Sequence, residues 1–175
     1  RRRAGAAIPA AAGHAPGRGA GPRAREASCL PAWTLPTLPM FSIPIRVYWE
    51  DTDAGGVVYH ARYVAFLERA RSDALRAMGH GQRDLQAAGV VFAVHSMRMD
   101  FLRPARLDDL LEVTAEVSRM GRASVVFSQR ILRGEEVLLE AEVKVASLRA
   151  VDFRPCPMDP VLYEELRTLQ PGHRP

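Results

Sequence analysis

Residues 49–63, WEDTDAGGVVYHARY, hold the densest group of side chains able to do chemistry. Glu50, Asp51 and Asp53 crowd ahead of Gly55 and Gly56, and Tyr59 and His60 stand immediately before a helical pattern. A turn that feeds a helix N-terminus presents unpaired backbone N–H groups and the positive end of the helix dipole. Such donors stabilise a carbonyl oxygen that becomes negative during acyl transfer. A carboxylate seven residues upstream of His60, folded back by flexible glycines, would face the same carbonyl from the other side. Nucleophile or base on one side and oxyanion donors on the other are the minimum for cleaving an acyl bond. Plainer readings stand beside this one. Asp-Thr-Asp before Gly-Gly also makes a simple turn in which the aspartates bond their own backbone. Asp-x-Asp also holds a divalent metal that carries a nucleotide, although nothing else in the chain supplies partner ligands or a phosphate loop. His60 also serves as an ordinary first residue of a helix.

The surrounding hydrophobic pattern supplies the elements that must position these groups. FSIPIRVYWED (41–51) is β-rich, with Pro44 near its start, where an edge strand tolerates it. Residues 51–60 form a turn. Residues 61–79 read as a helix whose apolar stripe is Tyr63, Leu67, Ala70, Ala74 and Met78, with Phe66 beside it. Arg62, Arg69, Asp73 and Arg76 mark its wet face, and Gly79 stops it. A short helical piece (83–88) leads into strands at 90–102, 110–120, 124–133 and 136–150, with hairpin turns at Gly121 and Gly134. A terminal helix over 160–169 closes the domain. One long helix against a mostly antiparallel sheet of about five strands is an α+β plan.

With 175 residues, 47% of them hydrophobic and 25% charged, the chain is sized for one domain and one core. No apolar run reaches the roughly 18 residues a membrane span needs. Cys29 and Cys156 form neither a disulfide framework nor a zinc pattern, which leaves a reducing, cytoplasmic setting as the expectation. The net charge of +4 is unevenly placed: residues 1–39 carry six arginines and one acid, and the remainder is close to neutral at −1. A basic balance points to nucleic acid only where the folded body carries it, so nucleic-acid binding is not expected of this domain. Residues 1–39 also hold 11 of the 26 Gly and Pro residues and no periodicity, the composition of a disordered or non-native extension. The expectation is a domain over 40–175 with Met40 as its natural start. The 23 arginines against a single lysine, Lys144, fit coding bias in a GC-rich genome.

The string VYWEDTDAGGVVYHARYVAFLERAR, together with FLRPARLDDLLEV at 101–113, resembles the signature of the 4-hydroxybenzoyl-CoA thioesterase family. More narrowly it is similar to the acyl-CoA thioesterases associated with the Tol–Pal cell-envelope system. The resemblance runs from about Phe41 to Leu169 and implies the hot-dog fold, a long helix wrapped by an antiparallel sheet, in agreement with the element order above. It implies that Asp53 is the catalytic carboxylate, attacking a thioester carbonyl or activating water for the attack. His60 would turn its backbone N–H toward the thioester oxygen. Tyr59 and the Gly55–Gly56 pair would shape the turn. Arg122, with Arg119 close by, matches a basic position that meets phosphates of coenzyme A.

The implied activity is hydrolysis of a fatty or aromatic acyl-CoA to free acid and coenzyme A, with no metal and no cofactor beyond the coenzyme A of the substrate. A homodimer or homotetramer is expected, since one small hot-dog offers little concave surface. The alternative from another class is a non-hydrolytic module that binds an acyl thioester or acyl carrier protein as a cell-envelope biogenesis partner. Glu68, on the helix, is the rival carboxylate, with a salt bridge as its plainer role. His95 reads as structural or interfacial, His80 as a turn cap, and Asp108–Asp109 as a solvated turn.

Overall fold

The computed structural model describes residues 41–172. The readings of residues 1–39 and of Met40 lie outside the described residues. Five strands, β1 (Phe41–Arg46), β2 (Val90–Phe101), β3 (Leu110–Gly121), β4 (Ser124–Arg133) and β5 (Glu136–Arg149), form one sheet in the order β1-β3-β4-β5-β2, with every pairing antiparallel. Three helices accompany it: α1 (His60–Ala77), α2 (Gln82–Ala87) and α3 (Pro160–Arg167). The α+β plan of the sequence is the plan of the structure.

Alternation explains the sheet's buried face. Leu111, Val113, Ala115 and Val117 of β3, and Val125, Phe127 and Ile131 of β4, turn inward at every second position. They meet the stripe of α1, where Tyr63, Phe66, Leu67, Ala70 and Ala74 are all buried. Met78, at the end of the stripe, is partly buried against the same core. Pro44 costs no ladder bond in the sheet interior, because β1 is an edge strand paired only with β3. No helix among the described residues is long and apolar enough to cross a membrane.

Three local expectations are corrected. The β-rich run 41–51 does not stay in the sheet: β1 ends at Arg46, and Trp49–Asp51 make a single 3-10 turn. The carboxylate of Asp51 accepts the Tyr48 N–H at 2.9 Å, a local bond that turns the chain out of the ladder. His80 does more than cap a turn, since its Nε2 meets Glu165 of α3. Asp109 is no solvated turn residue either; it accepts the Arg106 N–H and pairs with Arg133, both at 2.8 Å. A charge-assisted pair to a strand residue cannot be read from loop composition.

Candidate active site

The segment between β1 and α1 folds as a miniature hairpin. Thr52 bridges Val58, the Asp53 N–H donates to the Val57 carbonyl at 3.0 Å, and the Gly56 N–H returns to the Asp53 carbonyl at 3.0 Å. Gly56 sits at φ +71°, the left-handed conformation that favours glycine and lets the turn close. The second glycine has another reason: a Cβ at Gly55 would stand 3.0 Å from Oδ1 of Asp53. That oxygen already accepts the Gly55 N–H at 2.8 Å. Oδ2 of Asp53 meets no partner among the described residues, and the side chain is exposed.

The two aspartates of the Asp-x-Asp pattern are therefore divided in role. Asp51 is buried, 2% exposed. Its Oδ1 accepts from Nε of Arg62 at 2.6 Å, its Oδ2 from Tyr48, and its carbonyl takes the Tyr59 N–H at 2.9 Å. Arg62, expected on the wet face, is half-buried by this bond, and Glu50 stands 3.4 Å from the same guanidinium. With the Asp51 carboxylate committed to an arginine, the pair does not present two open carboxylates to a metal, and no metal-holding cluster occurs among the described residues. Of the two aspartates, Asp53 is the one that keeps an open carboxylate oxygen.

Helix α1 begins at His60 with Tyr59 as its cap residue, and the Tyr59 side chain makes no capping bond. No acidic residue lies in the first turn. The N–H groups of His60 and Ala61 find no acceptor among the described residues, so the helix presents open donors and an unneutralised dipole end. The Tyr59 and His60 rings lie 4.4 Å apart at 56°. Beside them runs an open groove of about 270 Å³ lined by Val58, His60, Tyr63, Phe101, Leu102 and Pro104. Phe101 and Leu102 are half-exposed there. Sequence reasoning had not chosen them, although two large apolar residues running straight into Arg103-Pro104 were the available signal.

Asp53, Gly56, Tyr59 and His60 thus come together on one hairpin and helix start. Arg119 and Arg122 do not join them. Arg122 is exposed in the β3–β4 hairpin, where its carbonyl accepts the Met158 N–H at 3.1 Å near the start of α3. That region adjoins the far end of α1, through His80 and Glu165, and an 18-residue helix is about 27 Å long. Arg119 is paired with Glu142 at 3.1 Å, whereas the Arg122 guanidinium has no partner among the described residues.

Glu68 is engaged as a salt-bridge residue. It binds Arg71 and accepts from the Ser72 hydroxyl. Arg71 is 3% exposed, a buried cation that the periodicity had hidden, although its place four residues past Leu67 puts it on the inward face. Its Nη1 donates to Gln129 Oε1 at 2.6 Å, and Gln129 Nε2 donates to the carbonyls of Leu67 and Thr114. Burial pushes the Arg71 pKa down, and Glu68 opposes the shift. His95 stands exposed at a bulge in the edge strand β2, unpaired with β5.

Residues 55–140 match the thioesterase superfamily, a span that takes in Gly56, Tyr59, His60, Arg119 and Arg122 and begins two residues past Asp53. The chain is 50% identical over 117 residues to the acyl-CoA thioester hydrolase YbgC of Escherichia coli O6:H1, covering 66% of this chain and 87% of that protein. It is 47% identical over 116 residues to the acyl-CoA thioesterase YbgC of Haemophilus influenzae, covering 66% and 85%. Among solved structures, a probable thioesterase from Bartonella henselae superposes with a TM-score of 0.65 at 38% identity, over 69% of this chain and 99% of that one.

Proposed function

Because the chain belongs to the thioesterase superfamily and is a thioester hydrolase with the hot-dog fold, we propose that it hydrolyses acyl-CoA, fatty or aromatic, to the free acid and coenzyme A, using the carboxylate of Asp53. The observation that carries this reading is the pairing of an exposed, half-satisfied Asp53 with the open N–H groups of His60 and Ala61 at the adjoining helix start. The thioester oxygen lies at those donors and gathers negative charge as the carbonyl carbon is attacked. Asp53 either attacks that carbon itself or takes the proton of an attacking water. The C–S bond breaks, the thiol leaves with a proton, and water supplies the hydroxyl of the acid. His60 gives its backbone N–H, and its exposed imidazole assists the departing thiolate. The groove of Val58, Phe101 and Leu102 receives apolar substrate surface. No step needs a metal or a redox cofactor.

Arg122 and Arg119 bind the phosphates of coenzyme A in this reading. A single chain holds them at the far end of α1 from Asp53, so a second copy brings them to the site. The open edge of β2, with Val94 and Phe101 exposed, is the surface on which a homodimer forms, and two dimers make a tetramer. An acyl carrier protein presents the same pantetheine thioester and is the natural second substrate class. Membership of the Tol–Pal-associated branch, in the cytoplasm, completes the proposal. Nothing observed favours the non-hydrolytic module.

The test is thiol release from short-chain, long-chain and 4-hydroxybenzoyl thioesters of coenzyme A, with Asp53→Asn and Arg122→Ala beside the parent chain. Asp53→Asn cuts turnover on all by ~10³-fold or more and leaves a measurable residual rate. Arg122→Ala raises KM for coenzyme A thioesters and leaves pantetheine thioesters, which lack the nucleotide phosphates, unchanged. Full turnover by Asp53→Asn refutes the carboxylate assignment and shifts suspicion to Glu68.

A further inference from the structure

Ala105 is fully buried, and both of its backbone polar groups bond outside their own segment. Its N–H donates to the Tyr63 phenol oxygen at 2.9 Å, and its carbonyl accepts the Val58 N–H at 2.9 Å. Tyr63 lies three residues past His60 in the first turn of α1. Val58 sits across the Thr52 bridge, next to the Val57 carbonyl that takes the Asp53 N–H. These bonds close a ring that runs from the Asp53 turn through Val58, Ala105 and Tyr63 back to His60. The catalytic carboxylate and the oxyanion donors are two points on that ring, and Tyr63 bonds to neither.

The phenol suits this duty. The Tyr63 ring is held edge-on by Phe101 at 5.7 Å and Phe66 at 6.2 Å. Burial pushes its pKa up, so it stays a neutral acceptor for the amide. We propose that Tyr63 is a positioning residue of thioester hydrolysis, fixing through Ala105 the spacing between the Asp53 carboxylate and the N–H groups of His60 and Ala61. The inference rests on the assignment of Asp53 and His60 above. Reacting groups tolerate little displacement: a shift of about 1 Å costs ~10²-fold in rate.

Tyr63→Phe tests it, because the ring packing stays and only the acceptor for the Ala105 N–H goes. The expected result is a fall in kcat of about 10- to 100-fold with KM within about threefold. A general loss of stability is separated by Leu162→Ala in α3, which removes buried core volume and lowers the melting temperature while kcat stays level. In the Asp53→Asn background, Tyr63→Phe changes the residual rate by less than about twofold, since there is no carboxylate left to position. An unchanged kcat in Tyr63→Phe overturns the proposal, and so does a full additive loss in the double variant or an equal kcat loss in Leu162→Ala. Full turnover by Asp53→Asn alone is a different failure, removing the underlying assignment and this inference with it.

Discussion

Exchanging each aspartate of the Asp-x-Asp pair for asparagine separates their roles, because the structure assigns them opposite signatures. Asp51 is 2% exposed and carries two charge-relevant bonds, to Tyr48 N–H at 2.9 Å and to Arg62 Nε at 2.6 Å. Removing one partner of a fully buried ion pair costs about 3–5 kcal/mol. The Arg62 side chain is 30% exposed and Glu50 stands 3.4 Å away, so the stranded guanidinium regains water and a second anion. Asparagine also keeps an oxygen for one bond. The expected cost falls to about 2 kcal/mol, which for a domain of this size lowers the melting temperature by roughly 6–10 °C. Asp53 is exposed, and among the described residues its carboxylate bonds only the Gly55 N–H, at 2.8 Å. Asp53→Asn changes stability by less than about 0.5 kcal/mol and removes turnover by ~10³-fold or more. The assay pairs urea unfolding at fixed protomer concentration, because assembly shifts apparent stability, with thiol release measured well below both transitions. Asp51→Asn retains turnover within about tenfold once folded. An Asp51→Asn protein as stable as the parent, or one as inactive as Asp53→Asn, refutes the division.

Further expectations use thiol release, urea unfolding and thermal melting. His60→Ala keeps the backbone N–H and loses the imidazole, so turnover falls by only ~10²-fold. Gly55→Ala places a methyl 3.0 Å from Asp53 Oδ1; kcat drops by about tenfold while stability moves by less than about 1 kcal/mol, and an unchanged kcat shows the carboxylate is free to yield. Gln129→Leu deletes three buried hydrogen bonds and leaves Arg71 with Glu68 alone, costing about 2–4 kcal/mol in urea unfolding. The Tyr63 phenol is raised above its ordinary value of 10.0 by burial. Its stabilising contribution is fully present below pH 10 and is lost as pH rises through the folded value. The melting temperature therefore falls more steeply above pH 10 in the parent chain than in Tyr63→Phe.

The helix was legible because its stripe is local: Tyr63, Leu67, Ala70 and Ala74 share a face whatever they pack against. The turn glycines were legible for the same reason, and Gly134 does take φ +60°. Asp53, Gly56, Tyr59 and His60 were found together because one short segment holds them. What escaped depends on distant partners. Nothing in DTD says that Asp51 turns inward to Arg62 while Asp53 faces out. Arg71 and Gln129 interrupt apolar faces of α1 and β4, and an interruption signals burial only once the opposing residue is known. The order of the sheet, with β2 beside β5 and at the edge opposite β1, is likewise a long-range fact.

That strand order also bears on how the chain reaches this state. β3, β4 and β5 are consecutive hairpins and can pair with little loop closure, while β1 reaches β3 only after the whole segment from Val47 to Asp109 has been spanned. The Asp53 turn and α1 lie inside that late-closing segment. The meander is therefore the expected nucleus for folding, with substitutions at Val113, Phe127 or Val143 expected to slow refolding in stopped-flow measurements. Substitutions around Asp51 and Tyr63 are then expected chiefly to speed unfolding, the signature of a segment that forms after the meander.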